Sequence, residues 1–189
     1  MAAISKQDEV SGILGAWVVE MIAVTGAAGK TGLAIVQALA QRGAAVRGLA
    51  HSGAGAAKIL AAGGAESVVG ELADGGTLEK LLRGASALYH ICPNMHPDEM
   101  AIGREMITDA RAADVEQFVY HSVLHPQTET MPHHWHKLRV EELLLAARLP
   151  FTILQPAAYM QNILASWQNI HKHGLYTIPY RAATQLSLV

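Results

Sequence analysis

The chain has 189 residues, long enough for one sizeable hydrophobic core and too short for two full domains. Its formal net charge of -2 creates no field that would draw nucleic acid or an anionic membrane surface, so neither is expected as a direct partner. Hydrophobic residues make up 51%, charged residues 16% and aromatics 5%, a balance that suits buried parallel strands under alanine-rich helices. Cys92 has no second cysteine to pair with, which fits a reducing compartment and a cytoplasmic setting.

Residues 1–20 carry an apolar stretch, Ile13 to Val19, bounded by Asp8 and Glu9 on one side and Glu20 on the other. A signal peptide needs a positive start and a longer apolar run, and a membrane span needs about 20 apolar residues. Met21 opens the first strand directly. It is expected to be the natural start, with residues 1–20 an extension outside the fold and residues 21–189 the domain.

From Met21 onward, strand and helix patterns alternate. Met21 to Val24 reads as a strand, followed by a glycine turn and a helix over Leu33 to Ala40 that Gly43 ends. Strand Ala45 to Ala50 precedes a short helix, Ala56 to Ala62, and strand Ser67 to Val69 precedes a turn, Gly70 to Asp74, and a helix, Leu78 to Leu82. Strand Ala87 to Ile91 runs into the loop Cys92 to Pro97, and Pro97 is suited to open a helix reaching about Ala113. Strand Gln117 to His121 leads through a polar loop to a helix over His133 to Arg148. Strand Phe151 to Leu154 leads to a helix from Ala158 to about His171, and Thr184 to Val189 reads as a last strand. Six strand-then-helix units predict an α/β fold: a doubly wound, mostly parallel sheet with right-handed crossovers. Ligands of such sheets lie beyond the carboxyl ends of the strands.

Gly26, Gly29 and Gly32 stand three apart, directly after a strand and at the head of a helix. Glycines there permit the tight turn, the approach of backbone to a pyrophosphate and the close packing of helix on strand. The helix N-terminus offers free N–H groups and a positive dipole end. The turn Thr25-Gly26-Ala27-Ala28-Gly29-Lys30-Thr31-Gly32 therefore predicts a bound dinucleotide rather than a ligand-free bend. It is not a Walker A loop, which would need glycine where Val24 stands. An NAD site usually carries an acid at the end of the second strand; here Ala50-His51-Ser52 offers none to repel a 2′-phosphate. Lys30 supplies a positive charge and His51 or Ser52 a hydrogen bond, so NADP(H) is preferred and NAD(H) stays open.

Thr25 to Gly32, Val46-Arg47-Gly48-Leu49, Val69-Gly70-Glu71-Leu72 and Thr152-Ile153-Leu154-Gln155-Pro156 together resemble the NmrA-like group of atypical short-chain dehydrogenases/reductases, over Met21 to Val189. The resemblance implies an NAD(P)-binding Rossmann fold. It implies either an NADPH-dependent oxidoreductase of a small carbonyl or quinone, or a non-catalytic redox sensor acting through a partner protein. It places Glu71 and Leu72 beside the adenine, and the turn after the fourth strand, at Cys92 and Pro93, beside the nicotinamide ribose. His51 stands where many relatives carry an arginine for the 2′-phosphate. The group normally continues past a segment like Leu186 to Val189 into helices that complete the substrate pocket, so a truncated substrate region is expected. Helices like His133 to Arg148 form dimer contacts in some relatives.

Short-chain reductases use a Tyr four residues before a Lys, with a Ser after the fifth strand. Lys137 and Ser122 occupy such positions, but His133 stands in place of the Tyr. Two readings stand. His133 replaces the phenol as proton donor, or the site only binds cofactor with Lys137 on the ribose. Tyr120 and Tyr159 are other candidate donors, more often packing residues at such positions. Among 10 histidines, His121, His125, His133, His134 and His136 cluster, and His133 and His136 share a helix face. No Asp or Cys lies among them, so polar pocket or surface roles are expected and no metal. Val140, Leu143, Leu144 and Leu145 are expected to pack, with Glu141 and Glu142 facing water. No basic neighbour marks Cys92 as a reactive thiol.

Overall fold

The computed structural model describes residues 21–177 and 187–189. Adjacent residues of the first strand already define two layers. In β1 (Ile22–Val24), Ala23 joins one buried cluster and Val24 the other, because successive side chains of a strand point to opposite faces. On one face Leu78, Leu81, Leu88, Met106, Phe118, Val140 and Leu144 pack together. On the other, Val36, Val46, Ala56 and Ile59 enclose Val24 and Ala27.

The elements follow as α1 (Lys30–Ala40), β2 (Val46–Ala50), α2 (Gly53–Ala61), β3 (Glu66–Val69), α3 (Gly75–Leu82), β4 (Ala87–His90), α4 (Glu99–Ala112), β5 (Gln117–His121), α5 (Pro132–Ala146) and β6 (Phe151–Leu154). A 3₁₀ helix, Met160–Ser166, leads into α6 (Trp167–His173). The six strands are parallel in the order β3-β2-β1-β4-β5-β6, so the order reverses between β1 and β4. This is the expected doubly wound sheet, and that reversal opens a crevice at the carboxyl ends of β1 and β4.

Local chemistry sets the helix starts. Ser52 and Asp74 cap α2 and α3, their side chains accepting from Gly55 N and Thr77 N. The start of α1 has no such cap: Gly29 precedes it, no side chain among the described residues bonds its first N–H groups, and its first turn holds no acid. Gly26, at φ +60°, turns the chain out of β1. A Cβ at Gly32 would lie 2.1 Å from the Gly26 carbonyl oxygen, so α1 lies against that turn only because position 32 has no side chain.

Three expected elements differ. Pro97 does not open α4: a turn from Pro93 to His96 precedes it, His96 Nδ1 accepts from Asp98 N at 3.1 Å, and the helix starts at Glu99. No α-helix starts at Ala158, which instead forms a parallel bridge with Leu188. Met160 N donates to Val189 O at 2.9 Å, and those backbone groups are then spent on an extended pairing. Ser187 to Val189 are the described part of the expected last strand, with Leu188 in the bridge; Thr184 to Leu186 and the expected extension 1–20 lie outside the described residues. The helix expected to reach Arg148 ends at Ala146, and Arg148 has φ +50°. Among the described residues, no helix is long and apolar enough to cross a membrane.

Gly32→Ala should lower unfolding stability by about 1–3 kcal/mol, since the methyl group meets backbone that has no way to yield. Gly53→Ala, where an added Cβ meets nothing within 4 Å, should be neutral or stabilising by up to about 1 kcal/mol. Urea unfolding of both variants checks this; equal losses would contradict the clamp at Gly32.

Candidate cofactor and substrate site

A cavity of about 610 Å³ fills the crevice beyond β1 and β4. Gly26, Ala28, Gly29, Lys30, Thr31 and Gly32 form one wall, and Leu49, Ala50, His51 and Leu72 continue it past the end of β2. Ile91, Cys92, Pro93 and Asn94 close it from β4, and His121, Ser122, Val123, His133, Lys137, Pro156, Ala157, Tyr159 and Asn162 bound the far end. Of the candidate site residues from the sequence, Glu71, Ser52 and Tyr120 are not on this wall; the others are. Glu71 belongs to its edge. Its carboxylate sits at the rim, 3.0 Å from His51 Nδ1, with both side chains exposed.

Thr25 ties the two sides of the crevice together. Its hydroxyl accepts from Ile91 N at 2.8 Å and donates to Ile91 O at 3.0 Å, and it meets His90 Nδ1 at 2.9 Å. His90 is fully buried and stacked on Tyr120, and its Nε2 has no partner among the described residues. Burial, with the nearby Lys137 charge adding to it, drives its pKa down to about 3, so it is neutral in the folded protein.

The far end rests on two buried carboxylates. α4 and α5 approach closely because Gly103 has no side chain against Val140: an added Cβ would lie 2.6 Å from Val140 Cγ2. One turn earlier on each helix, that approach brings Glu99 to Lys137. Lys137 Nζ donates to Glu99 Oε1 at 2.5 Å and to His121 O at 3.4 Å, and Tyr120 donates its hydroxyl to the same Oε1 at 3.0 Å. Glu99 has no exposed surface. The Tyr120 hydroxyl is therefore committed inside the core and is no donor to the cavity.

Glu141 is the second carboxylate. Contrary to the expectation that it faces water, it is buried on the face of α5 that carries Lys137 and Leu144, whereas Leu145, expected to pack, is 69% exposed. Ser122 Oγ donates to Glu141 Oε1, and Gln155 Nε2 donates to both of its oxygens at 3.0 Å. A serine has one hydroxyl proton, so Ser122 can offer the cavity only lone pairs. The i,i+4 spacing of Lys137 and Glu141 was the available signal: a helix face that turns Lys137 inward turns Glu141 inward with it.

His133 lines the cavity, and its ring meets His134 edge-on at 4.7 Å. Burial, then the His134 charge, lowers its pKa, which favours the neutral ring. No group of three or more His, Cys, Asp or Glu suited to a metal ion occurs among the described residues. Burial pushes the Cys92 thiol up to about 12, so it stays protonated and packs as a small apolar wall. Burial also lowers His121, to about 4; the sequence had offered it only as part of a histidine cluster.

These buried neutral histidines make stability acid-sensitive. An unfolded histidine protonates near pH 6.5 and buried His90 does not, so stability is unaffected above that pH and falls as pH drops toward the folded value. The loss is about 1.4 kcal/mol per pH unit for such a residue. Urea unfolding between about pH 7.5 and about pH 5 should show this decline, and His90→Asn should flatten it; an unchanged slope would mean that His90 is charged in the fold.

Comparison with known proteins agrees with this geometry. Residues 19–181 match the NmrA-like family. The chain is 29% identical over 162 residues to quinone oxidoreductase 2 of Escherichia coli (strain K12), covering 82% of this chain and 55% of that protein. It is 28% identical over 164 residues to an NAD(P)H azoreductase of Xenophilus azovorans, covering 84% and 55%. It superposes on the crystal structure of an Escherichia coli NADPH-dependent quinone oxidoreductase complexed with NADPH with a TM-score of 0.70 at 26% identity, over 82% of this chain and 56% of that one. The chain spans about half the length of the curated relatives it matches. With its parallel sheet, its glycine turn and a match that runs from before β1 to beyond α6, this chain belongs to the NmrA-like family.

Proposed function

We propose that the chain binds NADPH and serves an NAD(P)H-dependent oxidoreductase that reduces a quinone or another small conjugated carbonyl. The observation that carries this reading is the uncapped N-terminus of α1 at the wall of the cavity, beside a turn that only glycine fits. Free N–H groups and a positive dipole end there suit a pyrophosphate, and the Gly26–Gly32 contact leaves space where side chains would stand. No acidic side chain is among the described residues lining the cavity, while Lys30 and His51 are, which favours a 2′-phosphate over a bare ribose diol. The names of the relatives, a quinone oxidoreductase and an NAD(P)H azoreductase, support the reaction class.

NADPH, when bound, supplies a hydride to an electron-poor acceptor. The chain's own residues then have three tasks. Gly29 to Gly32 hold the phosphates, Leu72 gives the adenine an apolar wall, and Lys137, fixed by Glu99 and the His121 carbonyl, keeps one donor for the ribose. Cys92 and Pro93 shape the wall near the reacting end and exclude water there. Ser122, its hydroxyl hydrogen bonded to Glu141, helps to position α5 against the end of β5 rather than to polarise a carbonyl.

Fluorescence titration should show NADPH binding more tightly than NADH, and Lys30→Ala should cost NADPH roughly tenfold, about 1.4 kcal/mol, with NADH little changed. Following NADPH absorbance with a panel of quinones should show turnover. Equal affinity for both cofactors would remove the preference assigned to Lys30. Tight NADPH binding without turnover of any acceptor would favour a redox sensor that reads the cofactor and acts through a protein partner.

A further inference from the structure

With Ser122 and Tyr120 committed to carboxylates, the cavity needs another source for the proton that accompanies a hydride. Two side chains on its wall, His121 and Tyr159, are joined: His121 Nε2 lies 2.7 Å from the Tyr159 hydroxyl. The other ring nitrogen, Nδ1, lies 2.9 Å from the hydroxyl of Tyr89. Tyr89 is half-buried on β4 and is not on the cavity wall. One imidazole thus joins the hydroxyl of a cavity residue to that of a half-buried residue that does not line the cavity.

We propose that Tyr159 donates the proton to the reduced substrate, and that His121 and Tyr89 form the relay that restores it. The proposal rests on the oxidoreductase reading above. In the resting arrangement Tyr89 O–H donates to His121 Nδ1, His121 Nε2–H donates to the Tyr159 oxygen, and the Tyr159 proton is free to point into the cavity. A quinone that has gained a hydride carries one negative charge on oxygen. Tyr159 gives its proton to that oxygen, so the O–H bond of the phenol breaks and the hydroquinone O–H bond forms. The Nε2 proton then moves to the phenolate, the Tyr89 proton moves to Nδ1, and Tyr89 takes a replacement from solvent. Each turnover consumes one hydride from NADPH and one solvent proton, and the histidine ends with the opposite ring nitrogen protonated. To reset the chain, the Tyr159 hydroxyl turns back to the cavity, and Nε2 takes a proton from water that enters as product leaves. Nδ1 passes its proton to Tyr89, which releases one to solvent, so no net proton is gained or lost.

The surroundings support this use. The ring must be neutral, with one nitrogen donating and the other accepting, to pass protons between two hydroxyls. Burial, reinforced by the Lys137 ammonium that bonds to the backbone carbonyl of His121, favours the neutral ring. Tyr89 is held up at about 12 by burial and by the neighbouring Tyr159, so it keeps its proton at neutral pH. His133, which the sequence placed where the usual tyrosine stands, has no comparable chain of partners among the described residues.

Two measurements test the relay. Nitrogen NMR of wild-type protein labelled at histidine should show His121 neutral from about pH 7 down to about pH 5, with its proton on Nε2. A proton on Nδ1 would overturn the proposal, because Tyr159 would then donate to His121 and have nothing for the cavity. This readout stands whether or not a given quinone is turned over. Tyr159→Phe, which keeps the ring, should bind NADPH as the wild type does and lose quinone turnover by about 10²-fold. His121→Asn should also lower turnover and should change its pH profile. Turnover in Tyr159→Phe equal to that of the wild type would reject the relay and leave the oxidoreductase reading intact. Loss of NADPH binding by the wild-type chain would reject that reading instead.

Discussion

Space for a Cβ at position 32 does not exist: that atom would fall 2.1 Å from the Gly26 carbonyl oxygen and 2.6 Å from Ala27 Cα. Gly26 is itself pressed against the end of β4, where an added Cβ would lie 3.0 Å from the Ile91 carbonyl oxygen. The turn after β1 is therefore held between α1 on one side and β4 on the other. Thr25 secures the second contact through its bonds to the Ile91 N–H and carbonyl. These contacts direct an uncapped helix N-terminus into the crevice where the strand order reverses. A side chain at either glycine would move that terminus, and the site depends on where it points.

The opposite end of the cavity is set by buried charge. Taking Lys137 and Glu99 out of water costs several kcal/mol per ion, and their mutual attraction offsets that cost without making the pair a large net source of stability. Its consequence is positional. A flexible lysine stem is fixed by a carboxylate on α4 and a carbonyl on β5, so its ammonium is presented at one place on the wall. Glu141 does the same for the ends of β5 and β6, drawing Ser122 and Gln155 toward α5. Losing one partner of the Glu99–Lys137 pair would strand the other charge in the core, which explains why both members belong together in the fold.

How much of this was legible in the sequence followed from how local each feature is. The glycine turn, the caps and the strand alternation depend on neighbours a few residues apart, so the doubly wound sheet and one wall of the cavity could be read directly. Lys137 and Ser122 could be named from their spacing, yet their partners could not: Glu99 lies 38 residues from Lys137 and 19 residues separate Ser122 from Glu141. Nothing in α4's own pattern marks Glu99 as buried, because its burial follows from the close approach that Gly103 permits. Tyr159 was visible as one candidate donor among others and His121 as a cluster residue, but not the contact between them, which depends on β4, β5 and the segment after β6 meeting at one end of the sheet. The start of α4 was misjudged because His96 holds Asp98 in a turn that the helix-start preference of Pro97 does not reveal.

The most direct measurement is an amide ¹H–¹⁵N correlation spectrum of the chain titrated with NADPH. If the uncapped end of α1 holds the pyrophosphate, the amides of Gly29, Lys30, Thr31 and Gly32 should show the largest shifts, with smaller ones at His51 and Leu72. Saturating NADPH that leaves those four amides unmoved, or that moves only residues remote from the β1 turn, would contradict the assignment of this turn as the dinucleotide site.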